Sequence, residues 1–423
     1  MSGMILKGGR VIDPSRDIDE KSDVFILDGK IVGSAPEGAE VIDVSGKVVC
    51  PGLIDMHVHL REPGQSAKET IRSGTQAAAA GGFTSVVAMP NTSPPADAPN
   101  TIAWMMQKAQ ETGVVNVFPT GCISKEMKGE LLAPIGSLKQ AGVVAITDDG
   151  QCIQSNELMR RALEYAQMFD LPVLDHCQDA TLTSGGMMNE GFWSTVLGLK
   201  GWPSIAEEVI VARNALLAEL TGARVHCQHL TTVGSVRILR DAKERGVPIS
   251  GEVCPHHIAL TEECLQGYDT NYKMNPPLRT QRDIDALLEG VADGTIEFLA
   301  SDHAPHCSYE KEVEFDYAPF GIVGLETELG IFLTHLVHEK IISLPELLQR
   351  LTIAPARFLG LDRGTLRVGS AADVTIIDPD MEWIVDKEKF FSLGKNTPFH
   401  GEHLKGRAVT TIVKGAIVWS IEK

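Results

Sequence analysis

The 423-residue sequence predicts an α/β fold: a (β/α)8 TIM-like barrel with a small β-sandwich domain built from both termini. Three observations lead there. Short β-rich runs alternate with helical stretches about eight times through the middle of the chain, the pattern of a parallel sheet with crossover helices. Both ends carry glycine-punctuated β runs instead. No GxGxxG follows the first strand, which weighs against the runner-up, a doubly wound open sheet.

At the start, "MILKGGRVID", "DVFILDGKIVGSAP" and "AEVIDVSGKVVCPG" read as strands joined by tight turns, since "DG" between apolar runs signals a hairpin. "GTLRVGSAADVTIIDPDMEW" and "LKGRAVTTIVKGAIVW" repeat that style near the end. Residues 1–50 and 358–423 are therefore expected to form one β domain beside a barrel spanning 51–357. In the barrel, "FTSVVAMP" precedes the helical "NTIAWMMQKAQETG", and "VVNVFPTG" precedes "GSLKQAG". "VVAITDDG", "LPVLDHC" and "ARVHCQHLT" each precede longer helical stretches, and "VPISGEVCPHH" and "TIEFLASDHAPH" supply the last strands.

The net charge of −18 argues against nucleic acid or an anionic membrane surface as the main partner. A small anionic substrate remains open, because one local arginine can outweigh a distant acidic surface. No run reaches the ~18 apolar residues of a membrane span, and the N-terminus lacks a signal-peptide pattern. The eight cysteines form no CxxC pair and read as free thiols in a reducing, cytoplasmic setting.

Barrels carry their chemistry at the C-terminal ends of the strands, and those ends are unusually polar. "IDMHVHLR" offers His57, His59 and Arg61 at alternate positions, which share a strand face. Asn91, Asp149, His176, His229, Asn275, Asp302 and His306 follow at later strand ends. Four histidines and two aspartates converging on one mouth make a metal site, and imidazole with carboxylate suits Zn²⁺. His57 and His59 with Asp302 would fill one site, and His176 and His229 a second. Asp149 is the candidate bridge. Two cations sharing a hydroxide generate a strong nucleophile at neutral pH, with Asp302 as general base and then acid. Arg61 offers a planar fork to a carboxylate, with Asn91 and His306 beside it.

Some choices stay open on residues alone. Strand alternation favours Asp149 over Asp148 as the inward carboxylate and leaves Asp148 a turn or capping role. His226 and His229 lie three apart, so only His229, nearer the strand end, is taken as a ligand. His256 and His257 read as structural, and His303 points away from Asp302. Asp55 is expected to hydrogen-bond near the metal ligands, where carboxylates commonly orient histidines. The charged run after His306, "CSYEKEVEFDYAPFGIVG", is expected to be a mobile loop closing over the site.

"GLIDMHVHLREPG" resembles the metal-binding signature of the amidohydrolase superfamily, specifically the dihydroorotases, where "ASDHAPH" is similar to the usual second signature. "AMPNT", "TDDG", "DHC", "KMNPPLR", "PFGIVGLET" and "GTLRVGSAADVTIID" match in the same order, so the resemblance spans essentially the whole chain. It implies reversible cyclisation of N-carbamoyl-L-aspartate to L-dihydroorotate in pyrimidine synthesis, by zinc-bound hydroxide attack on the cyclic amide with Asp302 as acid/base. It implies two zinc ions held by His57, His59, Asp149, His176, His229 and Asp302, with Asp149 bridging. Arg61, Asn91 and His306 would hold the substrate carboxylate, His59 would line the same pocket, and Asn275 with the backbone at Phe320 and Gly321 would contact the ring. A homodimer, and association with aspartate transcarbamoylase, are further implications. A branch of the superfamily bridges its metals with a carboxylated lysine; Lys125 and Lys139 fall in loop- or helix-like segments, and the "TDDG" aspartate takes that place. Related cyclic amidohydrolases such as dihydropyrimidinase, hydantoinase or allantoinase would have that lysine and lack Arg61. A non-catalytic dihydroorotase-like subunit would have lost ligands, and a metal-dependent deaminase would lack the motif set.

Overall fold

The computed structural model describes residues 3–422; Met1, Ser2 and Lys423, at the ends of the two predicted terminal β segments, lie outside the described residues. The chain begins with β1 (Met4–Asp13), β2 (Ile18–Leu27), β3 (Lys30–Val32), β4 (Glu40–Asp43) and β5 (Val48–Pro51). β1, β2 and β3 are antiparallel neighbours, while β4 and β5 run parallel to successive halves of β1. The barrel strands follow as β6 (Leu53–Val58), β7 (Phe83–Ala88), β8 (Asn116–Pro119) and β9 (Val173–Asp175). A short ladder, β10 (Met188–Asn189) with β11 (Gly201–Trp202), interrupts the series before β12 (Val225–Cys227), β13 (Ile249–Val253) and β14 (Phe298–Leu299). The chain ends in β15 (Val374–Ile384), β16 (His403–Val413) and β17 (Ala416–Ser420).

The barrel closes. β6, β7 and β8 are parallel neighbours, as are β9, β12, β13 and β14. Ile146 joins the two sets, bridging Gly121 on one side and Val173 on the other, so the fourth strand is reduced to one bridging residue. Val58 pairs with His303, and the His59 amide donates to the His303 carbonyl at 2.9 Å, which completes the ring. A closed ring has no switch point, so the doubly wound alternative is excluded.

Local chemistry sets the helices around it. Thr70 accepts from the Ser73 amide to start the helix Ile71–Gly81, and Gly82, at φ 94°, ends it. A Cβ on Gly81 would sit 2.0 Å from the Leu325 carbonyl oxygen, so only glycine permits that approach. Leu53, Val58, Phe83, Val86, Val173 and Val225 are buried in a core shared with the surrounding helices.

The terminal strands form a mostly antiparallel β-sandwich, hydrogen-bonded in the order β17-β16-β15-β5-β1-β2-β3 with β4 beside β1. Its own core contains Leu6, Val24, Ile26, Val49, Val374 and Ile412. β15 from the C-terminal part pairs with β5 from the N-terminal part, Val374 opposite Pro51. The helix leading out of the barrel runs Ile353–Leu359. Among the described residues, no helix is long and apolar enough to cross a membrane.

Candidate active site

The polar strand ends meet at one mouth of the barrel. Eleven of the twelve residues singled out in the sequence line a single cavity of about 170 Å³. The twelfth, His57, is fully buried against it.

β6 delivers His57. Its Nε2 lies 3.3 Å from Asp149 Oδ1 and 3.5 Å from Asp302 Oδ1. His59 Nε2 is 3.4 Å from Asp149 Oδ2 and 3.0 Å from Asp302 Oδ1. From the far side His176 Nδ1 approaches Asp149 Oδ1 at 3.5 Å and His229 Nε2 at 3.9 Å. Asp149 therefore belongs to two three-residue groups, one with His57 and His59 and the other with His176 and His229. Asp302 groups with His57 and His229.

These spacings test whether a cation fits. His57 Nε2, Asp149 Oδ1, His176 Nδ1 and His229 Nδ1 are buried and have no hydrogen-bond partner, a costly state for polar atoms. Donors about 2.0–2.2 Å from a common cation stand at similar separations from one another. The electrostatics agree. Burial alone would raise the Asp149 carboxyl, but the His57 charge and the close approach of the His176 and His57 rings hold it well below the usual range. Against the same burial, His57 and His59 pull Asp302 down to about 2. Burial, with His176 and His57 adding to it, brings His229 down to about 3. Ionised carboxylates and a neutral imidazole are the forms that ligate metal. His57 is pushed well above its usual value, against burial, by Asp149, Asp302 and Glu252. The cage calls for positive charge at that spot, and its donor set fits a divalent cation.

Asp148 turns away. Its carboxylate accepts from the Ile123 amide at 2.7 Å and from Ser124, pinning the neighbouring loop, and leaves Asp149 facing the cavity. Asp55 accepts from the His57 amide at 2.9 Å and from the Ser301 hydroxyl, so it braces the backbone beside both His57 and Asp302 and does not hold a histidine ring. The hydrogen bonding near the ligands expected from the sequence is there, made to backbone and to Ser301. His303 is directed at Glu69 and the Gly324 amide, away from the cavity. His257 Nε2 donates to the Pro276 carbonyl at 3.0 Å, supporting the turn that carries Asn275.

The His226/His229 argument needs correction. The strand ends at Cys227 and His229 sits at φ 33°, so alternation fails between them. Both reach Glu252, His226 through its ring at 3.0 Å and His229 through its amide at 3.3 Å. Glu252 is the residue that sequence reasoning missed. Its Oε1 is 2.7 Å from His57 Nδ1 and its Oε2 takes the His226 contact. The available signal was a lone acid in the otherwise apolar run "VPISGEVC". Gln178 and Gln228 were also missed: Gln178 Oε1 lies 2.8 Å from His176 Nε2, and Gln228 Nε2 lies 3.2 Å from His57 Nδ1.

Around the cage sit the other predicted residues. Arg61, at φ 62°, is buried and donates Nε–H to the Pro305 carbonyl at 3.2 Å. Asn91 Oδ1 faces His59 Nδ1 at 2.9 Å, so Asn91 orients that ring. Asn275 Oδ1 is buried with no partner. His306 Nε2 donates to the Phe320 carbonyl at 2.8 Å, and the Gly321 amide donates to the Lys273 carbonyl at 2.9 Å.

The segment after His306, expected as a loop, has one helical turn at Ser308–Lys311 and is otherwise irregular. Two lysines anchor it. Lys311 Nζ donates to the carbonyls of Pro319 and Gly321, and Lys273 Nζ to those of Phe315 and Asp316. Lys68 ties Glu310 to the loop that follows Arg61, at 2.8 Å.

A family profile described as "Dihydro-orotase-like" matches residues 46–235, and one described as "Amidohydrolase family" matches 218–419. A dihydroorotase of Pelotomaculum thermopropionicum is 54% identical over 419 residues, 98% of each chain. That of Citrifermentans bemidjiense is 54% identical over 421 residues, 98% of this chain and 99% of the relative. Among solved structures, the dihydropyrimidinase of Brevibacillus agri superposes with a TM-score of 0.88 at 25% identity, over 100% of this chain and 96% of that one. The L-hydantoinase of Arthrobacter aurescens gives 0.89 at 26%, over 99% and 96%.

Proposed function

The chain belongs to the dihydroorotase family of the amidohydrolases, and from that premise we propose how its residues carry the reversible cyclisation of N-carbamoyl-L-aspartate to L-dihydroorotate. His57, His59, Asp149, His176, His229 and Asp302 would hold two divalent cations, zinc by the chemistry of the donor set, with Asp149 shared. The reading rests above all on the buried, partnerless donor atoms around Asp149. Bound there, the metal supplies Lewis-acid polarisation of the amide carbonyl and a water acidic enough to ionise near neutrality.

The chain's own groups do the rest. Asp302, ionised and beside His59, takes the proton from the ureido nitrogen during ring closure and returns it to the amide nitrogen during ring opening. Arg61 presents its guanidinium to the substrate carboxylate. Asn275 Oδ1, otherwise unpaired, accepts an N–H of the ring. Asn91 and Gln178 keep the rings of His59 and His176 turned toward Asp149. His306 contributes chiefly by holding Phe320 and Gly321 against the cavity. The enzyme is read as cytoplasmic and homodimeric, with aspartate transcarbamoylase as an alternative partner.

The solved neighbours give a hydantoinase-type reading its fold. Against it stand Arg61 in the cavity and an aspartate, in place of a lysine, at the shared position.

The test incubates the purified chain, metal-free and zinc-supplemented, with L-dihydroorotate and follows loss of ring absorbance. Zinc-dependent turnover that falls ~10²–10⁴-fold in Asp302→Asn is the expected result. No turnover with metal bound would overturn it and favour a subunit that needs the transcarbamoylase.

A further inference from the structure

After β13 the chain reads "CPHH" and turns into the short helix Pro255–Ala259. Cys254 is a free thiol with no exposure, and His256 and His257 are each 3% exposed. One ligating atom from each of the three lies within 4.8 Å of the others. The two imidazole centroids are 4.2 Å apart. None of the three belongs to the cage around Asp149, and none lines the substrate cavity.

His257 shows what the group is suited to hold. Its Nε2 donates to the Pro276 carbonyl at 3.0 Å, so the ring proton sits there and Nδ1 keeps a bare lone pair. Nδ1 is buried with no hydrogen-bond partner, a costly state for a purely structural histidine. A carbonyl that takes one ring N–H while the other nitrogen faces a cation is the usual support of a metal-bound imidazole. Burial brings His257 down to about 4, so the ring is neutral. The local charge favours a cation as well: Asp302 and Glu252, both held ionised, bear on Cys254.

We propose that Cys254, His256 and His257 form a further cation site, separate from the cage, for a thiophilic divalent ion of the zinc type. A thiolate with two imidazoles selects such an ion over magnesium or calcium, which take oxygen ligands. On binding, the metal–sulfur bond forms as the Cys254 S–H proton leaves to solvent, so uptake releases one proton. The site is tied to the catalytic region on two sides. His257 holds the Pro276 carbonyl, next to Asn275. Cys254 follows two residues after Glu252, whose carboxylate holds His57.

The cage offers only nitrogen and oxygen donors, so a thiolate-to-metal charge-transfer band reports this site and not the cage. Full-length protein, stripped of metal and reloaded with Co²⁺, is expected to show that band. It should also hold one more equivalent of cobalt, by elemental analysis, than Cys254→Ser treated alike. Cys254→Ser should lose the band and keep the far-UV circular dichroism of the wild type. His256→Gln, which keeps the thiol and carries the test if Cys254→Ser fails to fold, should weaken the band-forming affinity at least ~10-fold. A loaded wild type without the band would overturn the site. So would a band and metal content unchanged in Cys254→Ser, or an unchanged affinity in His256→Gln. The one-equivalent difference does not depend on how many ions the cage holds. A wild type that shows the band but has no turnover with zinc would overturn the catalytic reading and leave this site standing.

Discussion

Glu252 holds His57 with one carboxylate oxygen and His226 with the other, inside the barrel and out of water. Removing its charge while keeping its shape, by Glu252→Gln, should weaken metal binding ~10–100-fold, because a ligand's basicity and orientation come from such a partner. Titration of zinc against a competing chelator measures this directly; unchanged affinity would leave Gln228 as the group that orients His57. Arg61→Lys should raise KM at least ~10-fold with a smaller change in kcat, since an ammonium cannot match the fork of a guanidinium to a carboxylate. Steady-state kinetics with L-dihydroorotate separate the two parameters. At this scale, what was legible depended on spacing. His57 and His59 stand out because polar side chains at alternate positions of an apolar strand gain nothing from packing and must face a polar partner. Glu252 is a single acid with no partner nearby in sequence; His57 lies 195 residues away. His229 lines the cavity and His226 does not, as expected, but the alternation offered for that choice fails, because the strand ends at Cys227 and the positive φ of His229 is invisible in the letters.

Residues 307–321 show the limits at the scale of an element. Lack of helical or strand period identified them as irregular, but the anchors sit elsewhere in the chain: Lys273, Thr270 and Asn396 all hold this segment or its ends. Lys311 is the buried anchor within it, and burial, reinforced by the charge of Lys273, lowers its amine to about 7. An amine whose folded value lies below its unfolded one of 10.5 binds fewer protons when folded. The stability it contributes is full above about 10.5 and is lost as pH falls through about 7. The unfolding free energy from urea titrations should therefore rise between pH 7 and 9.5, by on the order of 2 kcal/mol from this group. Lys311→Met should flatten that rise; equal slopes in the two proteins would remove Lys311 as its source. The fourth barrel strand is a second such case. "VVAITDDG" reads as a full strand, yet the ladder narrows to Ile146 just before Asp148 and Asp149 turn out to their separate partners.

For the molecule as a whole, the buried donor atoms around Asp149 make cation binding a contribution to the stability of the fold. Chelation should lower Tm by at least ~3 °C, and stoichiometric zinc should restore it; calorimetry with and without chelator decides, and an unmoved Tm would mean the orphaned donors are satisfied some other way. The barrel was legible because its alternating pattern repeats about eight times, which averages out local ambiguity. The terminal sheet was legible as composition, but its strand order was not, because pairing across the chain leaves no local trace. That pairing orders events in time. β5 is made early, yet its neighbour β15 begins at Val374, after Pro51 and the entire barrel. At 5–20 residues per second the ribosome needs about 15–65 s to cover that interval. Throughout it the nascent chain carries an unpaired strand edge, the feature most prone to joining the wrong chain. Yield in a heterologous host should thus respond to translation speed and to chaperones that cover such edges, more than to any substitution in the finished fold.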